Sequence, residues 1–286
     1  MFFKLLHYDI KKGCFSEYRR LIVVICLTIA ICIAFSKEFL LYNSSLSEST
    51  YGDLLFYMFA GIHKFVPGTE KRFLFPAIWA LLMFLPLFFV LYYPFYDLLG
   101  YGKNTLILSQ NRKMWWLSKC CWCFIYIAIF FLVVYLTTAI YCLTQGIPLS
   151  FKISVNSYNM VVLKDYIESE NYTLSSFSGS FSPSFYLLPI FVISSYSFVQ
   201  MTISLLLAPA YSYMISVSFF VLSAFYMKPF LLGNYTLALR NKCIIQQGMQ
   251  MRTGMVLSIL TSVIFIIVGA YLFDRHDILN RSFRSE

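Results

Sequence analysis

Long apolar blocks separated by short polar stretches run along the chain from about residue 21 to residue 273. A helix needs about 20 apolar residues, at 1.5 Å each, to cross a bilayer. Blocks at about 21–42, 73–96, 115–143, 186–207, 211–227 and 255–273 meet or approach that length. The pattern predicts an all-α polytopic integral membrane protein, one transmembrane domain over 1–286 with six transmembrane helices. The first block is short unless it runs past Lys37 and Glu38 to Tyr42, with those two side chains snorkelling. In the second, Pro76 fits the first turn, whereas Pro86 removes a mid-helix hydrogen bond and is expected to kink the helix.

Residues 1–20 carry a different period. Phe2, Phe3, Leu6, Ile10 and Cys14 fall on one helical face and Lys4, Tyr8, Lys11 and Lys12 on the other, the pattern of an interfacial amphipathic helix. Phe2–Arg20 is too polar for the apolar core of a secretory signal, and the apolar block after it lacks a small-residue cleavage site. Residues 43–72 read as a polar loop of mixed sign, and a Ser-, Asn- and Tyr-rich loop of about 40 residues follows the third block.

The stretch 186–227 decides the topology. Six spans place 12 Lys and Arg on the inner side and 10 on the outer, with both termini inside. Reading 186–227 as one span gives 13 and 9, so charge alone prefers five. However, 42 residues make about 63 Å of helix against a hydrocarbon core of about 30 Å, and the usual tilt cannot absorb that excess. Pro209 near the midpoint, between Ala208 and Ala210, supplies a turn. Two spans are therefore expected there. That choice sends 228–254 outward, with Lys228, Arg240, Lys242 and Arg252 reaching headgroups.

Composition agrees with a membrane chain: 59% of the 286 residues are hydrophobic and 12% charged, about half the share of a soluble domain. The net charge of +9 is scattered between apolar blocks, which excludes a nucleic-acid face and suits orientation signals and contacts with anionic membrane lipids. Most of the eight cysteines lie in or beside apolar stretches. Cys120 and Cys123 have C-x-x-C spacing but no further ligands to complete a zinc site. Cys142 and Cys243 are a pair that could meet on the outer side.

Catalytic and cofactor signatures are missing. The three His residues are far apart, no paired Asp or paired Glu motif occurs, and there is neither a G-x-S-x-G elbow nor a P-loop. The expectation is a chain that is not an enzyme by itself, with no catalytic, cofactor or metal-binding residues. No charged residue is expected in the core of any span, which argues against ion-coupled transport. Gln200, midway along the fourth block, is the most polar residue inside a span. It reads either as a hydrogen bond between helices or as part of a substrate path.

Four segments, LLHYDIKKG (5–13), SQNRKMWWLSK (109–119), FLLGNYTLALR (230–240) and YLFDRHDIL (271–279), together resemble the membrane subunits of ABC-2-type transporters. Their order and separation match that permease family along essentially the whole chain. The resemblance implies a permease pairing with a second copy or a paralogue, each half docking a cytosolic ABC ATPase subunit that binds the ATP. It also implies export of an apolar or amphipathic substrate, such as a peptide, lipid or drug, across a bacterial plasma membrane. The family's docking surface is the N-terminal helix and the first cytoplasmic loop, here 97–113. Asp97, Gly100, Gly102, Lys103, Asn111, Arg112 and Lys113 are thereby expected to couple the ATPase to the spans. The alternative is a non-transporting membrane scaffold or sensor.

Overall fold

The computed structural model describes residues 2–15, 17–42, 45–64, 73–100, 102, 106, 111–163 and 179–275. The described chain is helical. Helix α1 covers Phe2–Ile10, α2 Tyr18–Leu41, α3 Tyr51–Phe59, α4 Ala77–Leu91 and α5 Tyr93–Leu99. Then come α6 at Arg112–Thr144, α7 at Pro183–Ser204, α8 at Pro209–Phe225 and α9 at Met251–Arg275. Five helical stretches are long and apolar enough to cross a membrane: α2, α4 continued into α5, α6, α7 and α9. With 17 residues, α8 is shorter than the other five. The chain is thus a multi-pass α-helical membrane protein.

Helix α7 lies at the centre, against α4, α6, α8 and α9. Its packing on α9 relies on small residues, because without a hydrophobic drive inside lipid, helices gain by close approach. The buried positions of α9 are Gly254, Ser258, Gly269 and Phe273. A Cβ on Gly269 would stand 2.1 Å from the Trp116 ring and 2.8 Å from Thr202 Oγ1. Thr202 Oγ1 donates to the Phe265 carbonyl of α9 at 3.1 Å. The remaining faces of α9 and α2 present Ile, Val and Leu outward, as lipid contact requires.

The bundle has two ends, one carrying α1 and the other α3. Helix α8 runs antiparallel to α4, with Tyr213 against Phe88, Phe220 against Trp79, and Phe225 stacked on Phe73 at 4.2 Å. It therefore leads from the α1 end to the α3 end, and 186–227 divides into two helices at 205–208 as expected. Helix α9 returns to the α1 end, where the carbonyl of Asp274 accepts from Arg112 Nη1 at 2.9 Å. Helix α4 continues through Pro86, and the interruption falls at Tyr92, two residues before Pro94 in the first turn of α5.

Several expectations need correction. Residues 51–59, read as part of a polar loop, form α3, which is buried along nearly its whole length. Thr50 and Asp53 close a capping box that satisfies the first free backbone N–H groups, so the helix starts cleanly inside the fold. Asp53 Oδ1 also accepts from the Ser154 N–H at 2.8 Å, tying α3 to the stretch after α6.

Arg240 does not reach headgroups. It is fully buried and donates to the carbonyls of Ile62 (3.1 Å), His63 (3.2 Å), Ser223 and Ala224 and to Asn234 Oδ1. The last carbonyls of a helix lack partners along the helix and carry its negative pole. Arg240 fills that role for α8 while holding 62–63 beside it. Lys228, Lys242 and Arg252 are exposed. None of the eight cysteines, Cys142 and Cys243 included, is joined in a disulfide.

Helix α1 and the turn after it keep Lys4, Lys11 and Lys12 exposed, Leu6 and Ile10 partly buried and Cys14 buried, as their pattern expects, with two departures. The buried residue of α1 is Asp9, and Phe3, assigned to the apolar face, is 80% exposed.

Candidate functional site

Asp9 is buried because a cation waits for it inside the fold. Lys119, seven residues into α6, is 1% exposed, and its Nζ donates to Asp9 Oδ1 and, at 2.6 Å, to Asp97 Oδ2 on α5. Asp9 Oδ2 accepts from Ser118 Oγ at 2.6 Å and Oδ1 from the Tyr93 hydroxyl at 3.1 Å. Lys12 Nζ lies 3.5 Å from Asp97 Oδ1. Two carboxylates thus meet two ammonium groups, which is how buried charge is tolerated at all. The faces of Tyr93 and Trp115 lie 4.9 and 4.8 Å from the Lys119 ammonium and complete its apolar shell.

Close backbone approach lets the elements meet. A Cβ on Gly13 would stand 2.3 Å from Trp122 Nε1, so only glycine lets the turn after α1 lie on α6. A Cβ on Gly102 would stand 2.1 Å from Asp97 Oδ2. Electrostatics around the cluster follow from its contacts. The Tyr8 side chain most, and then Asp97, hold the Lys12 ammonium above its usual range, against partial burial. Burial pushes the neighbouring Cys14 thiol up to about 11, which keeps it protonated and slow to react. The cluster holds charge in place; it has no activated nucleophile or open acid–base pair for chemistry.

The expected coupling residues divide between this cluster and its edge. Asp97 is a core member, Gly102 packs on its carboxylate, and Gly100 ends α5 by donating its N–H to the Tyr96 and Asp97 carbonyls. Asn111 caps α6, its Oδ1 accepting from the Met114 N–H at 3.1 Å. Arg112 and Lys113 turn to the end of α9, with Lys113 Nζ 4.0 Å from Asp274 Oδ2. Lys103 lies outside the described residues. Gln200 is elsewhere: its Nε2 donates to the Leu87 carbonyl at 3.1 Å, the interhelical bond that was one of its two readings.

Lys119 lies one turn inside the third span as the sequence bounds it, so this buried charge sits at the edge of a span and not in its core. Asp9 and Lys119 were not singled out by sequence. A usable signal exists: Asp9 shares a helical face with Phe2, Leu5 and Leu6, and an acid amid apolar neighbours implies a buried partner. Among the described residues, no three His, Cys, Asp or Glu side chains are grouped to hold a metal. No family model, curated protein or solved structure matches this chain.

Proposed function

We propose that the chain is the membrane subunit of an ATP-driven transporter, worked by a separate cytosolic ATPase subunit, with six spans and both termini in the cytoplasm. The observation that carries this reading is the Asp9–Lys119–Asp97 cluster. It joins the N-terminal helix, the segment after the second span and the base of the third span into one unit. A stroke delivered at that end needs a stiff element continuous with the spans, and three helices bolted through buried charge provide one. The bundle offers α8 as the sixth span, because its two ends lie at opposite ends of the bundle. The cargo is apolar or amphipathic, in keeping with span centres free of charge, and a second copy or paralogue completes the transporter.

Purification in mild detergent should recover a soluble P-loop ATPase with the chain, and Lys119→Met should lower transport per ATP hydrolysed in reconstituted vesicles. Recovery of the chain without any ATPase, together with no ATP-dependent transport in vesicles that hold it, would refute the reading and leave a scaffold or sensor; transport per ATP unaltered in Lys119→Met would remove the coupling role of the cluster. Topology is read by cysteine labelling with an impermeant maleimide in intact cells. Asn241 is buried, so the reporter belongs at exposed Gln246. Labelling of Gln246→Cys from outside fits six spans; protection until lysis fits five.

A further inference from the structure

We infer that the outward face of α1 is a binding surface for anionic lipid headgroups. Asp9 and its apolar neighbours take up one side of the helix, and the opposite side is a stripe of Phe3, Lys4, His7 and Lys11, all exposed. Residues 2–20 contain two acids. Asp9 is buried in the ion cluster, and Glu17 lies 3.1 Å from Arg20. Lys12 faces Asp97, so the outward charge of this segment, from Lys4, Lys11 and Arg19, is positive.

Depth selects lipid over a soluble partner. Asp9 and Gly13 contact α6 at Ser118, Lys119 and Trp122, six to ten residues along it, or about 9–15 Å from its start. With 33 residues, α6 is about 50 Å long and outruns the hydrocarbon core by about 10 Å at each end if centred. Residues 118–122 then lie at the boundary between acyl chains and headgroups, and α1 lies beside them. At that depth Phe3, 80% exposed, finds acyl chain, while the lysines find phosphate. The start of α2 continues the same surface, with Tyr18, Ile22 and Val23 about half exposed. This contact requires only that the bundle spans a membrane, and it stands or falls apart from the ATPase partner.

The experiment uses the full chain in detergent and reads lipid binding by native mass spectrometry. Phosphatidylglycerol is the probe, and phosphatidylcholine with the same acyl chains is the neutral control. Each cation near an anionic surface contributes about fivefold in affinity, so Lys4→Gln with Lys11→Gln should weaken phosphatidylglycerol about 25-fold and leave phosphatidylcholine unchanged. Both lysines are exposed, so thermal stability should hold, and Lys4→Arg with Lys11→Arg should retain the wild-type preference. Equal affinity of wild type for the two lipids, or equal loss in the Arg and Gln pairs, would overturn the assignment. So would unchanged lipid binding accompanied by loss of a co-purifying soluble protein, because the stripe would then be a protein-docking face.

Discussion

Each end of the bundle buries a cation, and the two solve the problem differently. At the α1 end, Lys119 is neutralised by carboxylates from two other elements, residues 9 and 97, far away in sequence. At the α3 end, the partners described for Arg240 are carbonyl oxygens, two from the end of α8, two from residues 62–63 and one from Asn234. An ammonium is a compact point charge that suits a full counter-charge, whereas a guanidinium spreads five donors over partial charges. The ionic lock joins three elements at a few atoms and fails as a whole when one charge is lost. The carbonyl cage is shared over many bonds and should fail gradually.

The largest expected effect follows from breaking the ionic lock. Lys119→Met leaves Asp9 and Asp97 buried beside each other, and removing one partner of a buried pair costs about 3–5 kcal/mol. The measurement is thermal stability in detergent, read by size-exclusion chromatography after heating. Adding Asp9→Asn and Asp97→Asn to Lys119→Met should restore most of the loss, because the stranded charges go with it. A single variant as stable as wild type would mean that the lock contributes nothing to the fold.

Arg240→Lys tests the other end. The positive charge is kept, but an ammonium has three donors and no fork, so some carbonyls lose their partners. Each orphaned buried acceptor costs about 1–3 kcal/mol, and relaxation should hold the total near 2–3 kcal/mol. A loss equal to that in Lys119→Met would erase the contrast between the ends.

The helices are legible in the sequence because twenty apolar residues in a row have few alternatives to crossing a membrane, and the division at Pro209 is legible from length. The cluster is not legible in the same way. Asp9, Asp97 and Lys119 are ordinary near the ends of spans, and only tertiary packing shows that they share one site. Asp97 and Gly102 enter through a family resemblance, which marks the segment without saying that the carboxylate points inward. Helix α3 is missed because nine residues containing an acid look like a loop, and its burial is decided by the capping box and by Ser154. Arg240 misleads for a related reason: an Arg in a polar stretch beside a span usually reaches for headgroups, and only the free carbonyls of α8 turn it inward.

A smaller effect is expected at Gly13, which tests how the lock is seated. Gly13→Ala places a methyl 2.3 Å from Trp122 Nε1, and the ring must move. Overpacking of this kind costs about 1–3 kcal/mol, here about 1 kcal/mol because α1 lies at the edge and can shift. The same shift should loosen the Asp9–Lys119 contact, so Cys14 should react faster with a small thiol reagent in the variant. Unchanged Cys14 reactivity at lowered stability would separate the glycine from the lock.

The smallest effect concerns pH at the α3 end. Burial raises the Asp53 carboxyl above its usual range, and its hydrogen bonds with Ser154 and Thr50 offset only part of that rise. The folded state then binds the proton more tightly than the unfolded chain does. Stability from this group is therefore fully present below the unfolded pKa, near 3.9, and is lost as pH rises through the higher folded value. This sign is opposite to that of a carboxylate held by a cation, whose stabilisation is lost toward acid. Wild type should lose a little thermal stability on going from acid toward neutral pH, and Asp53→Asn should flatten that part of the curve. Asn keeps one acceptor oxygen for either Ser154 or Thr50, so the helix should persist with a constant, pH-independent penalty. Melting curves of both proteins over the acid range decide the matter: identical slopes would show that Asp53 titrates as it does in the unfolded chain, and that the capping bonds offset its burial completely.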